Sequence, residues 1–62
     1  MNIKFDKETD ALWVHLAEGV YEQSDEVAPG ILLDYDAQGK LLAIEILDAS
    51  EKVNPLSLAK VN

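Results

Sequence analysis

Two segments in the second half of the chain are apolar at consecutive positions, and they constrain the fold more than any other feature. Residues 31–33 and 41–47 have the aliphatic, β-branched composition of strands. Successive side chains of a strand point to opposite faces, so a sheet covered on one side alternates apolar and polar residues. Regular alternation would place Leu42 with Ile44 and Ile46 on one face, but the other face is also largely aliphatic. Such a sheet needs a cover on each side.

The chain offers little material with which to cover both faces. It has 62 residues, and a domain of this length buries only about 60% of the surface that it exposes when unfolded. We expect one small domain, residues 1–62, with a sheet in residues 1–49 and a C-terminal tail or helix in residues 50–62.

A second copy of the chain, or another protein, is therefore the favoured cover for part of the sheet. Each aliphatic side chain left in water would forgo roughly 1.5–3 kcal/mol. The hypothetical interface consists of Trp13, Leu32, Leu42, Ile44 and Ile46. The alternative is that the tail and the bend at Pro29-Gly30 cover both faces within one chain.

The remaining patterns predict an α+β fold, an antiparallel β-meander of about four strands with a short C-terminal helix. Residues 2–5 and 11–17 alternate as strands do. Residues 20–26 are polar and indicate an exposed strand or an ordered arm. Asn54-Pro55 is typical of a helix start, with Asn as the N-cap and Pro at the first helical position.

The segment DYDAQGKLLAIE, residues 34–45, raises the question of a calcium site. The ligand positions of a helix–loop–helix calcium loop would be filled by Asp34, Asp36, Gln38 and Glu45. That loop lies between two helices, whereas the segments on both sides here are strand-like. A type I turn at residues 36–39, with Gly39 in the left-handed region, explains the pattern better. Binding of calcium or a small ligand through these residues is the alternative function.

The charge of the chain selects among possible partners. Its formal net charge is −7 and it contains no arginine. Binding to nucleic acid or to an anionic membrane depends on basic patches, so we expect neither. An acidic surface favours a basic protein partner. Without a secretory signal or an apolar run near the ~20 residues that span a bilayer, a cytoplasmic location is expected.

Few residues offer catalytic chemistry. The chain has no cysteine and a single histidine, His15, which is too little for a zinc site or a Cys–His pair. No nucleophile motif surrounds the serines. Trp13 and Tyr21 can form an aromatic binding patch, although such residues more often fill a core or an interface. We therefore expect a protein that is not an enzyme and uses no cofactor.

Four segments carry a further pattern: NIKFD (2–6), DALWV (10–14), EVAPGILLDYD (26–36) and GKLLAIEILDAS (39–50). Together they resemble a family of small, mostly bacterial proteins catalogued as domain of unknown function 2283. Trp13 and Ala43 depart from its usual pattern, where Tyr and Gly are common. The resemblance implies no catalytic residue. Some members of the family are associated with small toxins, so the resemblance implies that this protein is an antitoxin-like partner of a small basic RNase-type toxin. The sheet pattern separately favours a homodimer or larger homo-oligomer.

Overall fold

The computed structural model describes residues 1–61, which form a five-stranded antiparallel sheet and two short helices. The strands are β1 (Asn2–Asp6), β2 (Ala11–His15), β3 (Tyr21–Ala28), β4 (Ile31–Asp36) and β5 (Leu41–Ile46). The helices are α1 (Ala49–Lys52) and α2 (Pro55–Leu58). The predicted α+β class and antiparallel, meander-like sheet are confirmed. None of the helices in residues 1–61 is long and apolar enough to cross a bilayer.

The strand count was predicted as about four and is five, because the polar residues of β3 pair with β4 along an edge of the sheet. An edge strand with exposed side chains has no need of the apolar pattern that marks β4 and β5. The strand order is β1-β2-β5-β4-β3. β3, β4 and β5 follow one another as hairpins, whereas residues 16–20 carry the chain from β2 to the far edge, so that β2 pairs with β5.

The hairpin between β4 and β5 is closed by the predicted turn. The amide of Gly39 donates to the carbonyl of Asp36 at 3.0 Å, and Gly39 has a φ of 78°. The carboxylate Oδ1 of Asp36 accepts from the amides of Gln38 and Lys40, each at 2.9 Å. An aspartate that accepts from its own turn in this way stabilises the bend locally, so this part of the fold is specified by adjacent residues.

The C-terminal segment forms two helices rather than the single predicted one. α1 ends at Val53, which is extended. Pro55 disfavours the helical conformation at Asn54, the residue before it, and Asn54 is non-helical as well, so the segment does not continue as one helix. The predicted start of α2 is confirmed, because the Asn54 side chain accepts from the Leu56 amide at 2.8 Å. Each helix has only four residues, so both depend on packing against the sheet.

The helices cover one row of side chains on one face of the sheet, which we call the helix face. Leu12 is buried there together with Ala49 of α1 and Leu58 of α2. Partly buried side chains pack against this cluster from the sheet and the tail: Phe5, Ile46, Val53 and Val61. The tail therefore covers one end of the helix face. This is part of the alternative in which the chain covers both faces of its own sheet.

A second row of apolar side chains lies on the same face beside the covered one. Cross-strand pairing aligns Ile3 with Val14, Val14 with Ile44, and Ile44 with Leu33. We call these four residues the open row. Ile3 is 39% exposed, and the other three are half-buried. The open row is continuous across four strands because β2 pairs with β5.

A β-bulge corrects the expected position of Leu42. Asp34 pairs with Ala43, and Tyr35 pairs with Leu41, which leaves Leu42 as the extra residue. The Leu42 side chain is buried against Gly19, on the face opposite the helices, where Ala43 also lies. Leu42 therefore does not share a face with Ile44 and Ile46, because a bulge interrupts the two-residue period on which that expectation rested.

Helix α1 is capped by a residue from the turn between β1 and β2. Asp10 accepts from the Ser50 amide at 3.0 Å and from the Ser50 hydroxyl at 2.6 Å. Its carbonyl accepts from the Ala49 amide at 2.9 Å. Asp48, at the N-cap position itself, makes no side-chain capping bond. Asp10 thus connects the first hairpin to the C-terminal helices.

Asp10→Ala should lower the free energy of unfolding by about 1–2 kcal/mol, the range for loss of a helix cap. Asp10 also has a φ of 55°, which aspartate and asparagine tolerate better than alanine. Urea unfolding followed by circular dichroism measures the change. Asp10→Asn is the matched control, since it keeps an acceptor oxygen and should lose less. Equal stability of wild type and Asp10→Ala would contradict this capping role.

Candidate functional site

A shallow cavity of about 140 Å³ lies on the sheet face opposite the helices, which we call the cavity face. Small residues on β5 and in the segment after β2 leave this space open, and aromatic side chains stand around it. Its lining consists of Trp13, His15, Ala17, Gly19, Tyr21, Asp34, Leu42 and Ala43. The cavity therefore combines apolar walls, three rings and one carboxylate.

Gly19 allows the crossing segment to lie directly against β5. A Cβ atom built on Gly19 would stand 2.7 Å from Cδ2 of Leu42, closer than a real side-chain contact. The amides of Leu16 and Ala17 both donate to the Leu42 carbonyl, at 2.8 and 3.2 Å. These contacts fix the segment that closes one side of the cavity.

Two rings of β2 form one wall. Trp13 and His15 stack with their ring centroids 5.6 Å apart and their planes 20° apart. His15 Nε2 lies 2.7 Å from the Ala17 carbonyl oxygen. Because a carbonyl only accepts, His15 donates in this contact. The bond holds the imidazole against the crossing segment, and Trp13, 42% exposed, is supported from one side.

A chain of polar side chains runs from the rim of the cavity to its floor. The Tyr21 hydroxyl lies 2.8 Å from Ser24 Oγ, which donates to Asp34 Oδ1 at 2.5 Å. Asp34 also interacts with the Glu45 carboxyl on the neighbouring strand, where it contributes to the raised pKa of Glu45. Asp34 is 7% exposed and is the buried charged residue of the described chain.

The two carboxyl groups share this site at an electrostatic cost. The pKa of Glu45 is raised, mainly by its hydrogen bond to Asp34, then by burial and by the negative charge of Asp34. Two neighbouring carboxylates repel, so the pair favours keeping a proton on Glu45. The site presents a buried carboxylate that accepts a hydrogen bond from Ser24, at the foot of an aromatic wall.

The four residues that match the ligand positions of a calcium loop have different roles in the structure. Asp34 and Glu45 meet on the cavity face, while Asp36 accepts from the turn amides. Gln38 is exposed at the turn. Within residues 1–61, no group of three or more His, Cys, Asp or Glu side chains is placed to hold a metal ion. The segment forms a strand, a turn and a second strand, as the turn interpretation predicts.

The five residues of the hypothetical interface lie on both faces of the sheet. Trp13 and Leu32 flank Glu45 in the cross-strand register on the cavity face, where Leu42 also lies. Ile44 and Ile46 are on the helix face, and Ile46 packs against the helices. Sequence reasoning missed three members of the open row: Ile3, Val14 and Leu33. The alternation of Ile3 and Val14 in β1 and β2 carried the signal for two of them.

Sequence reasoning also missed the buried pair formed by Ser24 and Asp34. The signal available was a single acidic residue, Asp34, within the otherwise apolar start of β4. A buried carboxylate requires hydrogen-bond donors, and the facing residue of β3 supplies one. Finding that donor needs the β3–β4 register, which contains two irregularities.

Comparison with known proteins bears on the identity of the fold and the site. A family model described as "Protein of unknown function (DUF2283)" matches residues 2–50. The chain belongs to the DUF2283 family. The match covers all five strands and the start of α1, so the resemblance drawn from the four sequence segments is confirmed. No curated protein matches the chain. No solved structure matches it.

Glu45→Gln should reduce the dependence of stability on pH. Because the folded pKa of Glu45 is raised, its contribution to stability is present below the unfolded pKa and is lost as the pH rises through the folded pKa. Glutamine donates a similar hydrogen bond and does not ionise. The free energy of unfolding of the variant minus that of wild type should therefore be larger at pH 7 than at pH 4. Urea unfolding of both proteins at the two pH values measures this difference.

Glu8→Gln is the matched control, because it removes one carboxylate from the exposed turn between β1 and β2. Its effect should not follow the pH pattern expected of Glu45→Gln. If Glu45→Gln changes stability equally at both pH values, a raised pKa of Glu45 is not a feature of the folded protein.

Proposed function

We propose that this DUF2283 protein is a non-enzymatic protein-interaction module that forms a homodimer through the open row. The supporting observation is the uncovered apolar row of Ile3, Val14, Ile44 and Leu33 beside the row that the helices cover. Burial of a half-exposed aliphatic side chain recovers a part of the roughly 1.5–3 kcal/mol that full burial contributes.

The size of the protomer's own core supports a need for association. None of the large side chains in residues 1–61 is fully buried, and the best-buried core residues are Ala49 and Ala43. Domains of this size have a marginal core, and oligomerisation is one of the usual ways to complete it. Association through the uncovered part of the helix face would bury further apolar side chains and so enlarge the small core.

The charge distribution favours a second copy on this face. The open row carries no charged residue on β1, β2, β5 or β4, and the next cross-strand partner, Asp25 of β3, stands at the sheet edge. A twofold axis brings the same patch of each copy together. With a net charge of −7 on each chain, the uncharged row is the surface where two copies meet with least repulsion.

The polar groups of the cavity support a binding role rather than a catalytic one. The Ser24 hydroxyl donates a hydrogen bond to the Asp34 carboxylate, and the His15 ring donates one to the Ala17 carbonyl, so His15 is not oriented toward Ser24. A nucleophilic serine requires a base that accepts its proton and is itself oriented for transfer. In this cavity the serine instead serves as a donor that stabilises a buried carboxylate.

A basic protein is the second candidate partner, and β3 is the observation that favours it. Glu22, Asp25 and Glu26 are exposed on this edge strand, which pairs with β4 on one side. Like charges discourage β3 from pairing with another β3 and favour a basic segment there. This would suit an antitoxin-like role toward a small basic RNase-type toxin, and co-purification at low and high salt tests it. A basic partner should be recovered at low salt and lost at high salt.

Ile3→Lys should shift the protein from dimer to monomer. Ile3 lies at the edge of the open row and is 39% exposed, so the protomer should keep its fold. The twofold axis places the change in the interface twice, and we expect the dimer dissociation constant to rise at least about tenfold, which corresponds to ~1.4 kcal/mol. Sedimentation equilibrium across protein concentration measures it.

Leu56→Lys is the matched control, because Leu56 is a 75% exposed aliphatic residue of α2 outside the open row. The same change of charge there should leave the dimer constant as in wild type. Wild type that sediments as a monomer throughout, or an Ile3→Lys dimer as tight as wild type, would overturn the proposed homodimer.

A further inference from the structure

We propose that the cavity on the cavity face binds a guanidinium group, with the rings of Trp13 and Tyr21 beside the cation and the Asp34 carboxylate at its floor. This inference is independent of the proposed homodimer, because the cavity and the open row lie on opposite faces of the sheet. It assigns a ligand chemistry to a concave site that combines exposed rings with a buried carboxylate.

The first support is the position of Asp34. It is 7% exposed and lines the cavity, and a buried carboxylate is costly unless it is paired. Ser24 gives it one neutral hydrogen bond, and Glu45 adds a second carboxyl group rather than a cation. The eight lining residues include no lysine, and the chain has no arginine. The complementary positive charge would therefore come from outside the chain.

The second support is the aromatic surround, which is independent of the carboxyl pair. Trp13 and Tyr21 remain 42% and 58% exposed although they line a concave site. Cations bind over the faces of such rings, tryptophan being the best of them. The stacked His15 ring and its bond to Ala17 hold this wall in place. Aromatic faces beside a buried carboxylate form a site complementary to an organic cation.

The size and shape of the site select the guanidinium among cations. A cavity of about 140 Å³ is below the ~300 Å³ of a typical pocket for a complete small molecule, so it fits a head group. Guanidinium is planar, stacks on rings and donates in a fork to carboxylates, whereas an ammonium is a compact, strongly hydrated charge. A divalent metal would require more oxygen ligands than Asp34 and Glu45 supply.

The test is titration of the full-length protein with N-acetylarginine methylamide, and with its neutral isostere N-acetylcitrulline methylamide. Trp13 is the only tryptophan of the chain, so its fluorescence reports on the cavity wall, and amide chemical shifts locate the site. At constant ionic strength, the arginine compound should bind saturably with a Kd on the order of 1 mM, as a head group of this size can reach. The citrulline compound should bind at least about tenfold more weakly. Equal binding of both compounds would overturn the proposal.

Asp34→Asn should weaken arginine binding at least about tenfold, and Tyr21→Leu should also weaken it. Asp34 is buried, so Asp34→Asn is checked for a dispersed amide spectrum, whereas Tyr21 is exposed and its variant keeps the test decisive if Asp34→Asn does not fold. Glu8→Gln, which removes a carboxylate far from the cavity, should bind as wild type does. Unchanged affinity in Tyr21→Leu, or in a folded Asp34→Asn variant, would contradict the assigned site.

Two further arms distinguish the source of the group and the two proposals. Methylguanidinium that binds as tightly as a Gly-Arg-Gly peptide indicates a free small molecule, whereas a tighter peptide indicates an arginine side chain of a protein; either result supports the guanidinium site. Sedimentation of the protein saturated with arginine compound should give the same dimer constant as without it. The homodimer proposal can therefore be wrong while the guanidinium proposal holds, and the guanidinium proposal can be wrong while the homodimer proposal holds.

Discussion

Both faces of the β4–β5 hairpin carry aliphatic side chains, and the rest of the short chain covers them unequally. On the helix face, Leu12 brings Ile46 under α1 and α2. On the cavity face, the crossing segment packs Gly19 onto Leu42. The pairing of β2 with β5 makes both covers possible, because it places β2 beside the most apolar strand and leaves β3 to the edge. The same pairing extends the open row across four strands, so the uncovered surface results from the topology that builds the core.

The bulge at Leu42 determines the chemistry of the cavity face. Without it, Leu42 would point to the helix face. With it, Leu42 and Ala43 lie together opposite Asp34. The small Ala43 leaves room above the sheet, and the larger Leu42 supports the crossing segment. Asp34 is then enclosed far enough to be buried but still lines an opening. Burial of a carboxylate lowers the stability of so small a domain substantially. The hydrogen bond from Ser24 of β3 offsets only part of this cost.

The parts of the fold that were predictable from the sequence depend on neighbouring residues. The turn bonds of Asp36 and the cap made by Asn54 each join atoms within a few positions, so residue type and spacing were sufficient. The parts that were missed depend on distant residues. Asp10 bonds to Ser50 across 40 positions, and the bulge at Leu42 exists only in relation to β4. The cavity was therefore missed as a unit, although the sequence suggests Trp13 and Tyr21 together as an aromatic patch and Asp34 as a calcium ligand.

A single-layer sheet ties its two surfaces together, since adjacent residues of one strand serve opposite faces. On β5, Ile44 belongs to the open row, while Ala43 and Glu45 belong to the cavity face. A substitution in this central strand also lies beside buried neighbours such as Leu42 and Ala43, so it changes packing in addition to the surface that its side chain serves. The edge strands are free of this difficulty, because Ile3 on β1 reaches only the open row and Tyr21 on β3 reaches only the cavity. Because Ile3 and Tyr21 lie on opposite edges and faces, one substitution at each position tests the proposed self-association and the proposed cation binding separately.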